Sequence, residues 1–435
     1  MAALGGLLFG FDTAVINGAI PFFSDYFQLN DTLKGWAVSS ALIGCVLGAI
    51  SIGRPADNFG RRNVLKFLGL LFLFSALGTA LATKLWIFIG FRFVGGLAVG
   101  GASVLSPMYI SEISPAAYRG RLTVTFQLAI VTGILIAFFT DYLLINTGEN
   151  NWRWMFLSEA IPSLIFFISL FYLDNSPRWL VKMKAHEKAR VVILRVDPEA
   201  PVDSMLADIK RSINNEIISK NIYLFRKPFL RLILIGIAIG MFNQLTGINV
   251  IMYYATDIFR SAGFSTDSAI GQTVIIGLTN LVFTLIAMRV IDHFGRKNLL
   301  LTGSLGMTFF LGLFSWAFLN DFFQSFYLLV FLVGFIAFFA FSQGAVIWVL
   351  LAEMFPNNIR ARGTAIGSFS HWFFNALTTF LFPVMAGGFS GGKGTGYVFL
   401  FYTLATLISY FFYKKFIVET KGKSLENLEK ETLVT

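Results

Sequence analysis

Three ionisable side chains stand inside stretches that are otherwise apolar: Asp12, Arg92 and Glu159. A charge at membrane depth is costly unless it is paired or hydrated, so such residues mark function by default. Asp12 and Arg92 have opposite signs and neutralise one another if their segments touch. Arginine keeps its proton at any accessible pH, whereas a carboxylate can take one up and give it back. That asymmetry suits a proton carrier in which protonation of Asp12 breaks the pair. A static ion pair, or an Arg92 that snorkels to the interface, is the alternative reading.

A second chemistry lies in Phe242-Asn243-Gln244-Leu245-Thr246-Gly247-Ile248-Asn249, followed by Tyr253 and Tyr254. Amides both donate and accept hydrogen bonds, and beside an aromatic face they recognise polyhydroxyl ligands. Such groups are costly against lipid and are expected to line a cavity. The first stretch of the chain carries Asp12, Asn17, Gly18 and Pro21, so a break is predicted there too, at a matching position. Further candidates are Gln127, Asn280, Trp348 and the pair His371-Trp372. A lone amide is more commonly an interhelical hydrogen bond, and a lone tryptophan an interface anchor.

The third pattern is written twice. Asp57-Asn58-Phe59-Gly60-Arg61-Arg62-Asn63 returns as Asp292-His293-Phe294-Gly295-Arg296-Lys297-Asn298. Glu112-Ile113-Ser114-Pro115 leading to Arg119 returns as Glu353-Met354-Phe355-Pro356 leading to Arg360. A repeat half a chain long points to two copies of one membrane domain with a path between them. Each Gly-Arg-Arg/Lys turn sets cations at a helix end with carboxylates nearby. The constellation reads as a latch that holds in one orientation of the carrier and parts in the other. Simple anchoring of helix ends is the competing reading.

The elements that must position these residues are legible from composition. The chain has 435 residues, 56% apolar and 13% charged, against about 25% charged in soluble proteins. A helix needs about 20 residues to cross the hydrocarbon. Twelve such runs fall near 2–24, 35–56, 64–83, 85–111, 121–145, 154–173, 229–256, 269–290, 298–319, 326–352, 363–386 and 397–416. The expected fold is an all-α membrane protein with twelve transmembrane helices in two six-helix bundles. The bundles are 1–173 and 229–416, joined by a cytoplasmic linker of short amphipathic helices (174–228) and followed by a cytoplasmic tail (417–435).

Charge sets the orientation. Of 34 Lys and Arg, 28 fall on one set of alternate loops and the tail, five (Lys34, Lys84, Arg153, Arg260, Lys393) on the other, and one is Arg92. Excess cations mark the cytoplasmic side, so both termini are expected there, in a multi-pass protein of a cell membrane. The net charge of +10 thus follows from topology and does not call for nucleic acid. One cysteine and three distant histidines give no disulfide framework and no metal or cofactor site. Met1 leads directly into hydrophobic sequence without a basic segment, so no cleavable signal is expected, and the sequence is expected to start inside its first helix, with either a short first turn or a few residues preceding it.

These motifs resemble the sugar porter branch of the major facilitator superfamily, in particular bacterial proton–monosaccharide symporters of the xylose type. Asn175-Ser176-Pro177-Arg178-Trp179-Leu180 and Glu419-Thr420-Lys421-Gly422-Lys423-Ser424-Leu425 carry the resemblance further. It implies that Gln127, Gln244, Asn249, Asn280, Trp348 and Trp372 contact sugar, and that Tyr253 and Tyr254 gate the site from outside. It also implies that Asp12, in Phe9-Gly10-Phe11-Asp12-Thr13-Ala14-Val15, carries the proton beside Arg92 and Glu159, since facilitative animal transporters have asparagine at that point. Three positions depart from the family pattern. Asn243 replaces a glutamine, His371 replaces a glutamine or asparagine, and Asn175 replaces a glutamate.

The expected function is proton-coupled import of a hexose or pentose by a monomer in the lipid bilayer. A facilitative uniporter and a non-transporting sugar sensor are the alternatives, the latter disfavoured by the short tail. No catalytic constellation suggests an enzyme.

Overall fold

The computed structural model describes residues 1–115, 118–219, 229–356, 359–389, 393–419 and 421, and every regular element among them is helical. The first half comprises α1 (Leu4–Phe27), α2 (Asp31–Ser51), the short α3 (Gly53–Phe59), α4 (Arg61–Ala80), α5 (Leu85–Ile113), α6 (Arg119–Leu144), and a sixth span made of α7 (Asn151–Ser158) and α8 (Ala160–Ser169). Three polar-segment helices follow: α9 (Pro177–Lys182), α10 (His186–Val196) and α11 (Val202–Ser219). The second half comprises α12 (Phe229–Gln244) and α13 (Ile248–Ser261), α14 (Thr266–Phe294), α15 (Arg296–Leu319), α16 (Ser325–Phe341) and α17 (Gln343–Glu353), α18 (Arg360–Gly387) and α19 (Gly394–Phe416).

Among the described residues, eleven spans are long and apolar enough to cross a membrane. α18 has 28 residues, also enough length, but it carries Arg360, Arg362, Ser370, His371, Asn375, Thr378 and Thr379. The chain is an all-α membrane protein with twelve spans in two six-helix bundles.

The spans match the apolar runs, but the breaks do not fall where the sequence suggests. α1 is continuous through Asp12, Asn17 and Gly18 to Phe27, with Pro21 inside it. Pro21 withdraws the N–H that would bond the Asn17 carbonyl, but a packed membrane helix tolerates one such loss. The seventh span does break, at residues 245–247, where Gly247 takes φ +78°. Two further breaks were not legible. The sixth span is interrupted at Glu159, as Pro162 has no N–H for the Ser158 carbonyl. The tenth turns at Ser342, which has φ −121° and ψ −92°.

Close packing within the first half depends on small residues. A Cβ at Gly44 would sit 3.0 Å from Gly96 Cα, and one at Gly96 would run into the Ala41 carbonyl, so α2 and α5 touch through their backbones. Small residues at the contact are what let two helix backbones approach this closely. Within the second half, α12 packs on α18 and α15 on α19. The halves meet mainly through α1 with α13, α2 with α18, and α6 with α14. Several of the seam contacts lie at one end of the bundle, called here the gate end. Trp36 meets Phe380 with ring centroids 5.3 Å apart, and Gly271 lies against the Tyr142 ring. The opposite, loop end carries the repeated Gly-Arg motifs and α9–α11. There Ala189 and Val192 of α10 pack on Leu180 and Val181 of α9. Arg195 pairs with Asp174 at 2.6 Å, and Arg190 with Asp203.

Candidate functional site

The structure brings the three buried charges together. Asp12 is 0%, Glu159 1% and Arg92 2% exposed. Arg92 Nη1 donates to Asp12 Oδ1 at 2.5 Å, and Nη2 donates to the Asp12 carbonyl at 3.1 Å. The guanidinium therefore grips both the side chain and the backbone of one residue. It also lies 5.4 Å from the centroid of the Phe156 ring, a cation–π contact. Glu159, freed from regular helix at the break, lies in hydrogen-bonding reach of Asp12 and electrostatic reach of Arg92. An arginine and two carboxyl groups thus share one buried site.

Sequence reasoning missed two neighbours of that cluster. Cys45 of α2 and Tyr253 of α13 both lie in electrostatic reach of Asp12 and Arg92. It also missed Asp141 of α6, fully buried, whose Oδ2 accepts the Gly18 N–H at 3.2 Å. An acid so close to the end of an apolar run reads as a loop residue, so no signal separated it.

The break between α12 and α13 organises a second, amide-rich cluster. Gln244 is its centre. Its Oε1 accepts from Asn249 Nδ2 at 2.7 Å, and its Nε2 donates to Asn243 Oδ1 at 3.0 Å. The same Nε2 lies 3.0 Å from Nδ1 and 3.2 Å from Nε2 of His371, so whichever ring nitrogen is unprotonated accepts. The His371 ring sits 4.9 Å from the Trp348 ring and 5.5 Å, edge-on, from Trp372. Trp372 in turn reaches Phe9 of α1 at 5.4 Å, joining this cluster to the first half. Gln127 on α6 is half-buried and Asn280 on α14 is buried, but neither is hydrogen-bonded into the Gln244 cluster. What gathers here is a row of amides and one imidazole flanked by indole faces, a surface able to exchange hydrogen bonds with hydroxyls.

At the gate end, the two tyrosines of α13 tie it to α18. The Tyr254 hydroxyl donates to the Thr379 carbonyl at 3.1 Å, and Asn375 Nδ2 donates to the Tyr253 oxygen at 3.4 Å. Asn17 of α1 donates to the Met252 carbonyl at 2.8 Å and accepts from Thr256. Lys34 pairs with Asp257 at 3.0 Å. The Asn17 and Lys34 bonds cross from one half to the other. Asn17 was noted in sequence only as an interruption of its helix.

At the loop end, the repeated motifs fold alike. Gly60 and Gly295 adopt φ +87° and +85°, a region closed to most side chains, and each starts a new helix with its arginine. Arg61 is gripped by Glu112 through Nε at 3.0 Å and Nη2 at 3.1 Å, and by Asp57 at 3.0 Å. Arg296 pairs with Glu353 at 3.2 Å. These ion pairs lie inside one half each. Arg62 donates to the Leu170 and Phe171 carbonyls, and Arg360 to the Phe355 carbonyl. Burial pushes the Asp57 carboxyl up, but Lys182 at 2.9 Å and Arg61 outweigh it and hold it below the usual carboxylate range. The side chains of Arg119 and Asp292 lie outside the described residues.

The halves diverge in how the helix after the glycine is capped. Glu419 accepts the backbone N–H groups of Arg296 and Lys297 at 2.9 and 3.0 Å, capping α15. On the other side Asn175 stands beside Gly60 with its Oδ1 buried and without a partner. The loss of a glutamate there, noted in sequence, leaves α4 without the equivalent cap.

Comparison with known proteins places the chain in a family. A family model described as sugar (and other) transporter matches residues 1–431. The chain is 38% identical to a glucose transport protein of Synechocystis over 98% of its length and 95% of the relative's. It is 36% identical to the arabinose-proton symporter of Bacillus subtilis, covering 99% of the chain and 93% of the relative. It is also 36% identical to the D-xylose-proton symporter of Escherichia coli, covering 99% and 94%. The xylose transporter of Escherichia coli in its inward open conformation superposes with a TM-score of 0.87 at 35% identity, covering 99% of this chain and 98% of that one. The same transporter bound to 6-bromo-6-deoxy-D-glucose gives 0.82 at 36% identity, covering 99% and 97%. With its two bundles, its amide-rich break and its full-length match, the chain belongs to the sugar transporter family, whose members are transporters and not enzymes.

Proposed function

We propose that the protein imports a monosaccharide, a hexose or a pentose, together with a proton, by alternating access. The observation that carries the reading is the Asp12–Arg92 pair, enclosed in the membrane beside Glu159. A carboxyl group held at that depth beside an arginine can take up a proton and release it, which uniport does not require. The arabinose- and xylose-proton symporters among its relatives support the same reading.

In this account Gln127, Asn243, Gln244, Asn249, Asn280, Trp348, His371 and Trp372 hold the sugar. Tyr253 and Tyr254 close over it from outside. Residues 1–173 and 229–416 rock as two bodies, with both termini in the cytoplasm. The Asp57–Arg61–Glu112 and Arg296–Glu353 groups, with Arg62, Lys297, Arg360, Arg119 and Asp292, form the cytoplasmic latch. The bonded gate end, and the higher match to an inward open relative, support an inward-facing state for the structure.

Uptake of labelled hexoses, pentoses and polyols into proteoliposomes tests the proposal. Sugar should accumulate only with an inward proton gradient, and adding sugar should alkalinise a weakly buffered medium. Equilibration without accumulation would make the protein a uniporter.

A further inference from the structure

Between the two halves, Thr13 and Ile16 of α1, Val38 and Leu42 of α2, Arg92 of α5 and Tyr253 of α13 line a small, partly open cavity of about 10 Å³, no more than one water molecule needs. Most of the wall is apolar. The Thr13 hydroxyl is already spent on the carbonyls of Phe9 and Gly10, at 2.8 and 3.1 Å. Arg92 and Tyr253 are not fully spent. Arg92 commits Nη1 and Nη2 to Asp12, but its Nε is buried and has no partner. Tyr253 receives a bond from Asn375 at 3.4 Å, and among the described residues its own O–H is given no acceptor. A buried donor without an acceptor is costly. One water in this cavity offers an acceptor to both.

We infer that a single water joins Tyr253 to Arg92, and that through this link the gate end senses the state of the Asp12–Arg92 pair. The link rests on the proton-coupled reading above. Its two ends belong to different halves, Arg92 to the first and Tyr253 to the second. Ionised Asp12 holds the guanidinium by side chain and backbone together, and so fixes where Nε points. A proton on Asp12 releases that grip, and the water loses an oriented partner. Closing or opening the gate end is then tied to the charge on Asp12. The titratable groups facing Tyr253 are Asp12, Arg92 and Cys45, and Glu159 faces Asp12 from the sixth span. Tyr253 is a positioning residue here. It acts through Arg92 and exchanges no proton itself.

Two variants test the link in proteoliposomes. Tyr253→Phe keeps the ring and removes the hydroxyl. Val38→Ile adds one carbon to the cavity wall and displaces the water while leaving Tyr253 intact. Each variant is measured for proton-driven sugar accumulation and for sugar counterflow, which needs no proton gradient. Both should accumulate several-fold less sugar than the wild type, and Val38→Ile, which alters neither the gate nor the sugar site, should retain counterflow, because movement of sugar is no longer tied to Asp12. Wild-type accumulation in both overturns the inference and leaves proton coupling standing. A defect in Tyr253→Phe alone overturns it by removing the water from the link. Loss of counterflow together with accumulation in Val38→Ile also overturns it, since the defect would then lie in the movement of sugar and not in its coupling to the proton. A wild-type protein that never accumulates sugar removes the inference along with the proton-coupled reading.

Discussion

Asn17 is stitched into one turn of α13 through Thr256. Its Oδ1 accepts the Thr256 N–H at 3.0 Å and the Thr256 hydroxyl at 2.5 Å, and its Nδ2 donates to Met252, one turn earlier, at 2.8 Å. A single amide from the first half thus engages the donor and acceptor of one helical turn in the second. Asn17→Ala removes all three bonds from a buried seam, a loss of about 1–3 kcal/mol, which shifts an equilibrium roughly tenfold to hundredfold. The expected result is a carrier open more often at the gate end. A cysteine placed at Ile16, in the same seam, should react faster with a membrane-impermeant thiol reagent. An unchanged rate would assign the closure to Lys34–Asp257 and the ring contacts instead.

Asp12→Asn keeps the shape of the side chain and removes the charge that cycles. Proton-driven accumulation should be lost, while sugar binding is retained and exchange of labelled for unlabelled sugar continues. A misfolded protein loses all three, so the pattern separates coupling from folding. Accumulation that persists in the variant would falsify the role of Asp12 and turn attention to Glu159 or His371.

Gln244→Ala removes the hub that holds Asn243, Asn249 and His371 in register, and Trp348→Ala removes an aromatic wall. Each should weaken sugar binding by about 1–3 kcal/mol, roughly tenfold to hundredfold, without preventing membrane insertion. Titration calorimetry on purified protein measures it. Near-normal affinity in both variants would place the sugar elsewhere.

Arg61 and Arg296 are both engaged inside their own halves in the present state. The latch reading gives them further partners across the seam when the gate end opens. Replacing both with Ala should then favour the state open at the loop end. Faster labelling of a cysteine lining that side is the expected signature. Identical labelling reduces the two arginines to anchors of helix ends.

The Asp57 pair has a defined pH window. Its folded carboxyl is held below the usual range by Lys182 and Arg61, so its contribution is complete above the ordinary value of about 3.9 and fades as pH falls through the lower, folded one. Asp57→Asn should lower the melting temperature at neutral pH. The gap from wild type should shrink only in strong acid, below about pH 4. A gap that closes between pH 6 and 7 would point to a different group.

The fold was largely legible because lipid imposes a crude rule, about 20 apolar residues per span, and because the loop motifs occur twice. The seventh-span break was legible too, since Gly247 between amides is hard to house in a regular helix. The first-span break was misjudged. Polar residues and Pro21 looked like an interruption, but in α1 they point at partners: Asp12 at Arg92, Asn17 at α13. The turns at Glu159 and Ser342 lacked a strong marker, and a proline four residues after a carbonyl is easily passed over. The clustering of Cys45 and Tyr253 around Arg92 could not be read at all. It depends on how α2, α5 and α13 meet, and no spacing along the chain encodes that meeting.

The turn at Gly247 constrains how this carrier can change over time. With φ +78° and the Tyr402 ring packed against it, any side chain there meets both a backbone penalty and a collision. The kink between α12 and α13 therefore cannot drift by single substitutions. Any change in what this cluster binds must leave the hinge where it is and vary what surrounds it, the side chains of Asn243 and His371 among them.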